Sequence, residues 1–328
     1  MEPASNEHKD KLYLVTHQQL SSGYQTAQIA HVVAEFTLNN PDVAKTWHSL
    51  SNSLIVLEAK NAEELSVLQA EAKSRGIGVT EFREPDLGDE ITALAFSPSE
   101  ETRKLLSNLR CAGRNVNEVE QAALREREAR IREMSFAMMD TDQTKGQNVL
   151  QHGRSVREHY FTLLDHLNGD VDLNEASNWR LPAWIDQYKE QILAALPSRY
   201  VMDRYLTLHD CGKPRVKEVD EDGKVHFPGH ADASAATYRE VFGEDADETV
   251  AYLIEHDMDI HMIMADEIPE FIKRPTAIAH LLAGLSEVTS NAAMFGGIDS
   301  DGFKMKYKRL DQRGKAIVKA MFETAEVK

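Results

Sequence analysis

The stretch YLTLHDCGKPRV, Tyr205 to Val216, sets His209 and Asp210 side by side at the end of an apolar run, with a glycine, Lys213 and a proline directly after. More histidines stand near other apolar stretches. His152 and His159 are seven residues apart in LQHGRSVREHYFTLLDHL, which on a helix puts them on one face, two turns from each other. His230 lies in HFPGHADAS, and a second adjacent pair, His256-Asp257, lies in LIEHDMDIHM. Neutral imidazoles and carboxylates together are the ligands of Fe, Mn, Co, Ni, Zn or Mg. Helices of a bundle can aim them into one core. A lone helical histidine is usually a satisfied polar residue; five near apolar runs, two followed by aspartate, read as a metal centre. Cys211 beside the pair offers a Cys–His nucleophile instead, but adjacent side chains rarely face each other.

The elements that must position these groups divide the chain in two. Residues 12–17, 53–59, 77–82 and 90–96 read as strands, and 24–38, 61–76 and 97–109 as helices. Asn61 and Glu64 open the second helix as a capping pair, Gly76 closes it, and Pro98 starts the third. Residues 39–50 begin with a break and a turn signal. The charged segment 114–140 reads as a connecting helix, packed in part through Leu124, Ile131, Met134 and Phe136, or as a simple spacer. Beyond it, helices are expected near 145–168, 182–196, 199–211, 230–242, 246–259, 275–293 and 309–324, with a hairpin over 216–227 turning at Asp222-Gly223. The expected domains are 1–111, a helical linker 112–141, and 142–328. The fold class is α/β plus all-α: a small mixed-sheet α/β domain followed by an all-helical one.

The chain has 328 residues, 42% of them apolar, enough for two ordinary cores. A net charge of −17 argues against non-specific nucleic-acid binding and leaves room for a local basic pocket. Two distant cysteines, Cys111 and Cys211, make no disulfide framework and suit a reducing compartment. The polar start MEPASNEHKDK lacks the apolar core of a signal peptide, and no apolar run approaches ~20 residues. A cytoplasmic protein with no membrane span is expected. The acidic zone from 244 to 267 reads as a solvated face.

On VREHY, LHDCGKP and the longer run HDCGKPRVKEVDEDGKVHFPGH, residues 145–295 resemble the HD phosphohydrolase superfamily, in particular the HD domain of bacterial tRNA nucleotidyltransferases. The resemblance implies an all-helical domain and metal ligation by His159, His209 and Asp210. His230 and His256 stand where two-metal members add histidines. In LLAGLSEVTSN, Glu287 takes the place of the family's last aspartate. One or two divalent ions (Mn, Ni, Co, Fe or Mg) are implied. The implied activity is hydrolysis of a phosphomonoester or a 2′,3′-cyclic phosphodiester of a nucleotide or RNA end. A metal there activates water and polarises a phosphoryl oxygen. Asp210 would orient that water or bridge two ions, Lys213 would counter phosphoryl charge, and Arg215 and His226 are substrate-side candidates.

Residues 12–109 resemble the second family of peptidyl-tRNA hydrolases, through SSGYQTAQIAHVVAEF, NPDVAKTW and FREPDLGDEITALAFSP in that order. Gln28 and His31 fall on the Gln and His of the family's first helix, and Glu84 stands in for its aspartate. The family's lysine-bearing loop is here Ser22-Gly23-Tyr24, and tyrosine supplies no positive charge, so a binding role is favoured over ester cleavage. Together the two resemblances imply a nucleotide or RNA 3′ end, tRNA included, as partner. Two rivals stand beside the phosphohydrolase: a diiron oxygenase of the HD superfamily, and a non-catalytic binding or regulatory protein on degenerate scaffolds. The apolar faces at 275–293 fit either a core or a contact between copies, which leaves a homo-oligomer open.

Overall fold

The structure, a computed structural model, describes residues 11–113, 116–144 and 146–323. Most of the polar start, the first two residues of the expected connecting helix and the end of the last expected helix lie outside them. The chain forms two compact units, 1–135 and 136–328.

In the first unit β1 (Leu12–His17), β2 (Leu54–Ala59), β3 (Val79–Glu84), β4 (Glu90–Phe96) and β5 (Arg110–Cys111) form one sheet, in the order β3-β4-β1-β2-β5. β1 and β2 are parallel, in the register Leu12↔Leu54, and the other pairs are antiparallel. β1 and β4 are buried along their whole length, as central strands covered on both faces must be. The helices α1 (Ser22–Asn39), α2 (Pro41–Leu50), α3 (Ala62–Ser74) and α4 (Glu100–Leu105) connect them. α1 and α2 lay Val32, Phe36, Ala44 and Trp47 on Leu12, Leu14, Ala93 and Ala95. The segment that begins with a break and a turn signal continues as a helix: Pro41 fits the first turn, where no amide donor is needed, and Trp47 buries against the sheet.

α5 (Glu118–Met139) is more than a spacer, because Arg127, Glu128, Ile131, Met134 and Ser135 are buried. Phe136, expected to pack, is exposed.

The second unit opens with a small ribbon, β6 (Asp142–Thr144) and β7 (Gln147–Asn148). It continues as α6 (Val149–Asn168), α7 (Ala183–Gln187), α8 (Lys189–Ala194) and α9 (Arg199–Leu208). The hairpin β8 (Glu218–Val219) and β9 (Val225–His226) follows, then α10 (His230–Phe242), α11 (Glu248–Glu255), α12 (Asp259–Met262), α13 (Ile268–Phe271), α14 (Ala277–Ser290) and α15 (Asp301–Val318). α6 packs on both α9 and α14, and α14 also on α15. Expected single helices split at Tyr188 and at residues 256–258. α15 begins eight residues earlier than its apolar pattern, because the Ser300 hydroxyl accepts from Phe303 N and caps it.

Candidate metal centre

α6 carries His152 on the face turned to α9, and α9 delivers His209 and Asp210 at its C-terminal end. Gly153 lets them meet: a Cβ there would stand 2.2 Å from the Thr207 carbonyl oxygen, so any side chain would hold the two helices apart. α14 supplies Glu287. His152, His209 and Glu287 each offer a ligand atom within 4.8 Å of the others.

Asp210 joins them. Its Oδ2 lies 3.6 Å from His152 Nε2 and 3.3 Å from His209 Nε2. Glu287 Oε1 is 3.8 Å from His152 Nε2. Donors about 2.1 Å from one ion stand about 3.0 to 3.4 Å apart, so these separations need only a small contraction. On the other side His230 Nε2 is 3.7 Å from Asp210 Oδ1.

The hydrogen bonds leave the right atoms free. His209 Nδ1 meets the Leu206 carbonyl at 2.8 Å, and His230 Nδ1 meets Phe227 O at 3.1 Å. A carbonyl can only accept, so in each neutral ring Nδ1 carries the proton and Nε2 the lone pair. Such a backbone partner is what orients a metal-bound histidine. His152 Nδ1 and Nε2, His209 Nε2 and Asp210 Oδ1 are buried without a hydrogen-bond partner. Unpaired polar atoms in a core are costly, and a divalent ion would satisfy imidazole lone pairs and a carboxylate together. The residues present therefore fit a metal.

The same residues are electrostatically coupled to one another. Burial drives the His152 imidazole down to about 4, so it is neutral near pH 7. Burial also weighs against the His209 cation, but the Asp210 carboxylate outweighs it and lifts that imidazole to about 10. Burial would raise Asp210, yet His209 and Lys213 hold it well below the usual carboxylate range. Glu287 is likewise held down against burial, chiefly by His261, whose Nε2 donates to Oε2 at 3.0 Å.

The structure separates the other expected residues. His159 is not in the cluster. Its Nδ1 donates to Ser155 O at 2.7 Å and its ring lies 5.7 Å from Trp179; two turns of α6 carry it past the crossing with α9, and the histidine beside His209 is His152. His256 turns Nδ1 to Asp259 at 3.1 Å, and its ring lies tilted against that of Tyr252, 4.3 Å between centroids. Lys213 is buried, with Nζ bonded to Asp210 Oδ2 at 2.6 Å and Gln143 Oε1 at 2.9 Å; it positions Asp210. Arg215 pairs with Glu240 on the surface, and His226 with Asp220 in the hairpin. Cys211 is a buried thiol lifted to about 12 by burial and donating to Ser234 O, which removes the Cys–His alternative. Two residues to which the sequence assigned no role lie close by: His261, on Glu287, and Asp257, which accepts from the Tyr205 hydroxyl at 2.5 Å.

In the first unit Gln28 and Glu84 do meet: Gln28 Nε2 donates to Glu84 Oε2 at 2.8 Å, and Thr92 donates to Gln28 Oε1 at 2.7 Å. His31 stays exposed, stacked on Phe82 at 4.6 Å. α5 grips the loop before α1. The Glu128 carboxylate, raised by burial, accepts from Ser21 N and Oγ at 2.6 and 2.9 Å. Gln121 bonds Ser22, and the Arg132 guanidinium bonds the Tyr24 hydroxyl. The positive charge that Tyr24 cannot supply is thus brought to it by Arg132. No helix among the described residues is long and apolar enough to cross a membrane.

No curated protein matches the chain. Residues 11–111, the sheet and its helices but not α5, match the family model described as peptidyl-tRNA hydrolase PTH2.

Proposed function

We propose that the second unit is a metal-dependent phosphohydrolase of the HD kind, acting on a phosphomonoester or 2′,3′-cyclic phosphodiester of a nucleotide or RNA end. One observation carries the reading: the buried, unpartnered nitrogens of His152 and His209 converge with Asp210 and Glu287. His152, His209, Asp210 and Glu287 would hold a divalent ion (Mn, Ni, Co, Fe or Mg), and His230 faces the free oxygen of Asp210. Bound there, the ion lowers the pKa of a coordinated water and polarises a phosphoryl oxygen. Lys213 keeps Asp210 ionised and fixed through their 2.6 Å bond. His261 ties down one oxygen of Glu287 and leaves the other turned to His152. That hydrogen bond lets a glutamate serve where the HD pattern has an aspartate, since it fixes the longer side chain in one position.

For the first unit we propose recognition of a tRNA-like 3′ end. The match of residues 11–111 supports a tRNA-related role. The lysine-free loop at 22–24, bonded to α5 through Ser22 and Tyr24, favours binding over cleavage.

The test is elemental analysis of the purified protein beside the His209→Ala/Asp210→Ala double variant, followed by assays on 2′,3′-cyclic nucleotides, phosphomonoesters and tRNA ends. Metal in the wild type that is lost in the variant, with turnover that follows it, supports the reading. A wild type that takes up none of Mn, Ni, Co, Fe or Mg ends it.

A further inference from the structure

A cavity of about 280 Å³ opens beside the metal centre, with Glu287 and His261 in one wall and α15 in the other. α15 contributes Lys306, Arg309 and Arg313 to it, at a spacing that puts all three on one helical face. Among the described lining residues the one carboxylate is Glu287, and His261 already holds it. Three cations therefore face this space in a chain whose net charge is −17.

The three cations are not equivalent. Arg313 is committed to the backbone: Nε donates to Ile263 O at 3.0 Å and Nη1 to His261 O at 2.8 Å. It props the segment that carries His261 while adding its charge to the wall. Lys306 rests over the Phe295 ring, 4.6 Å from its centroid. Neither Lys306 nor Arg309 forms an ion pair with a carboxylate of the described residues, so both keep their donors for something else. An ammonium and a guanidinium side by side are the donors that recognise phosphate oxygens.

We propose that this cavity holds a second phosphate of the substrate, one nucleotide unit from the phosphate at the metal centre, with Lys306 and Arg309 as its ligands. The proposal rests on the phosphohydrolase reading and narrows it. The preferred substrate carries at least two phosphates, either on a free nucleotide or as the next phosphodiester of a strand end. The cavity's volume, near the small end of ligand pockets that run from about 300 Å³ upward, gives room for a phosphate and its sugar.

The experiment is calorimetric binding at 4 °C to metal-loaded full-length protein. The probes are adenosine 5′-monophosphate, adenosine 3′,5′-bisphosphate and the dinucleotide ApAp with a 3′-phosphate. Wild type, Lys306→Ala/Arg309→Ala, Lys306→Gln/Arg309→Gln and His209→Ala/Asp210→Ala are compared, with metal content measured for each. Each lost charged contact weakens binding by about tenfold or more, so the preference of the wild type for the two-phosphate probes should collapse in both α15 variants. A preference for the bisphosphate alone identifies a free nucleotide; one shared by ApAp identifies a strand end. If metal is bound and monophosphate binding depends on His209 and Asp210, yet the preference is absent or survives in both α15 variants, the second-phosphate site is wrong and the metal centre stands. If the wild type holds no metal and monophosphate binding ignores His209 and Asp210, the phosphohydrolase reading fails, and the subsite with it.

Discussion

Gly153 lies against Thr207, so closely that a Cβ on Gly153 would sit 2.2 Å from the Thr207 carbonyl oxygen. This contact sets the distance between α6 and α9, and so between His152 and His209, whose ring centroids are 5.2 Å apart. Overpacking of this kind usually costs about 1–3 kcal/mol. Gly153→Ala is expected to lower thermal stability by that order and, more tellingly, to cut metal content, because the helices must part. Unchanged metal in a destabilised variant would show that the centre does not depend on this approach.

The two histidines of α6 give a sharper test. His152→Ala removes a proposed ligand and should weaken metal binding by more than the ~10–100-fold typical of losing an outer-sphere partner. His159→Ala removes a ring packed beside Trp179 and should leave metal affinity near that of the wild type. Affinity measured by competition with a chromophoric chelator separates them, and the reverse order would restore His159 as the ligand.

That choice marks where the sequence stops being legible. The α/β order of the first unit, most helix positions of the second and the His209-Asp210 pair can be read from periodicity and motif alone. The pair His152/His159 cannot be resolved that way, because residues seven apart share a face and the choice depends on where along α6 the crossing with α9 falls. The glycine after His152 was the available signal, since a helix interior tolerates the conformational cost of glycine where another backbone comes close. His261 was hidden, and Asp257 named without a role, for a related reason: both reach the centre through the turn at 256–258, which the pattern reads as continuous helix. Lys213 was seen, but its role follows from burial against Asp210, which no spacing encodes.

His280 supplies a pH prediction independent of the metal. Burial lowers its imidazole from 6.5 to about 4, with Nε2 bonded to Leu253 O at 3.1 Å. The folded state binds this proton less readily than the unfolded chain. Stability is therefore level above pH ~6.5, falls as pH drops from there toward ~4, and levels again below, by roughly 3 kcal/mol in all at about 1.4 kcal/mol per unit. His280→Gln keeps a donor for Leu253 and does not titrate, so its urea stability should lose that part of the acid slope. A slope identical to that of the wild type would mean that His280 is not the group responsible.

Glu128 tests the grip of α5 on the first unit. Its carboxylate is the acceptor for both Ser21 N and Ser21 Oγ, and leaving buried donors unpaired costs about 1–3 kcal/mol. In Glu128→Ala, amide exchange at residues 21–24 should accelerate by one to two orders of magnitude, at about 1.4 kcal/mol per tenfold, while Glu128→Gln should lie between. Exchange unchanged in both variants would mean that the loop is held by the sheet rather than by α5.

Metal itself should act as a stabilising ligand. An ion that binds the folded centre and not the unfolded chain adds about 2.7 kcal/mol when present at ~100 times its Kd. The melting temperature of the second unit should therefore rise on adding Mn²⁺, Ni²⁺ or Co²⁺ and fall with a chelator. The dependence is built into the centre: the Asp210 carboxylate favours a proton on His209, and an ion must displace that proton to bind. The stabilisation should consequently grow as pH rises from 6 to 8, since each ion bound releases a proton. In His209→Ala/Asp210→Ala neither the shift nor its pH dependence should remain. A shift that persists in that variant would place the ion elsewhere on this acidic chain.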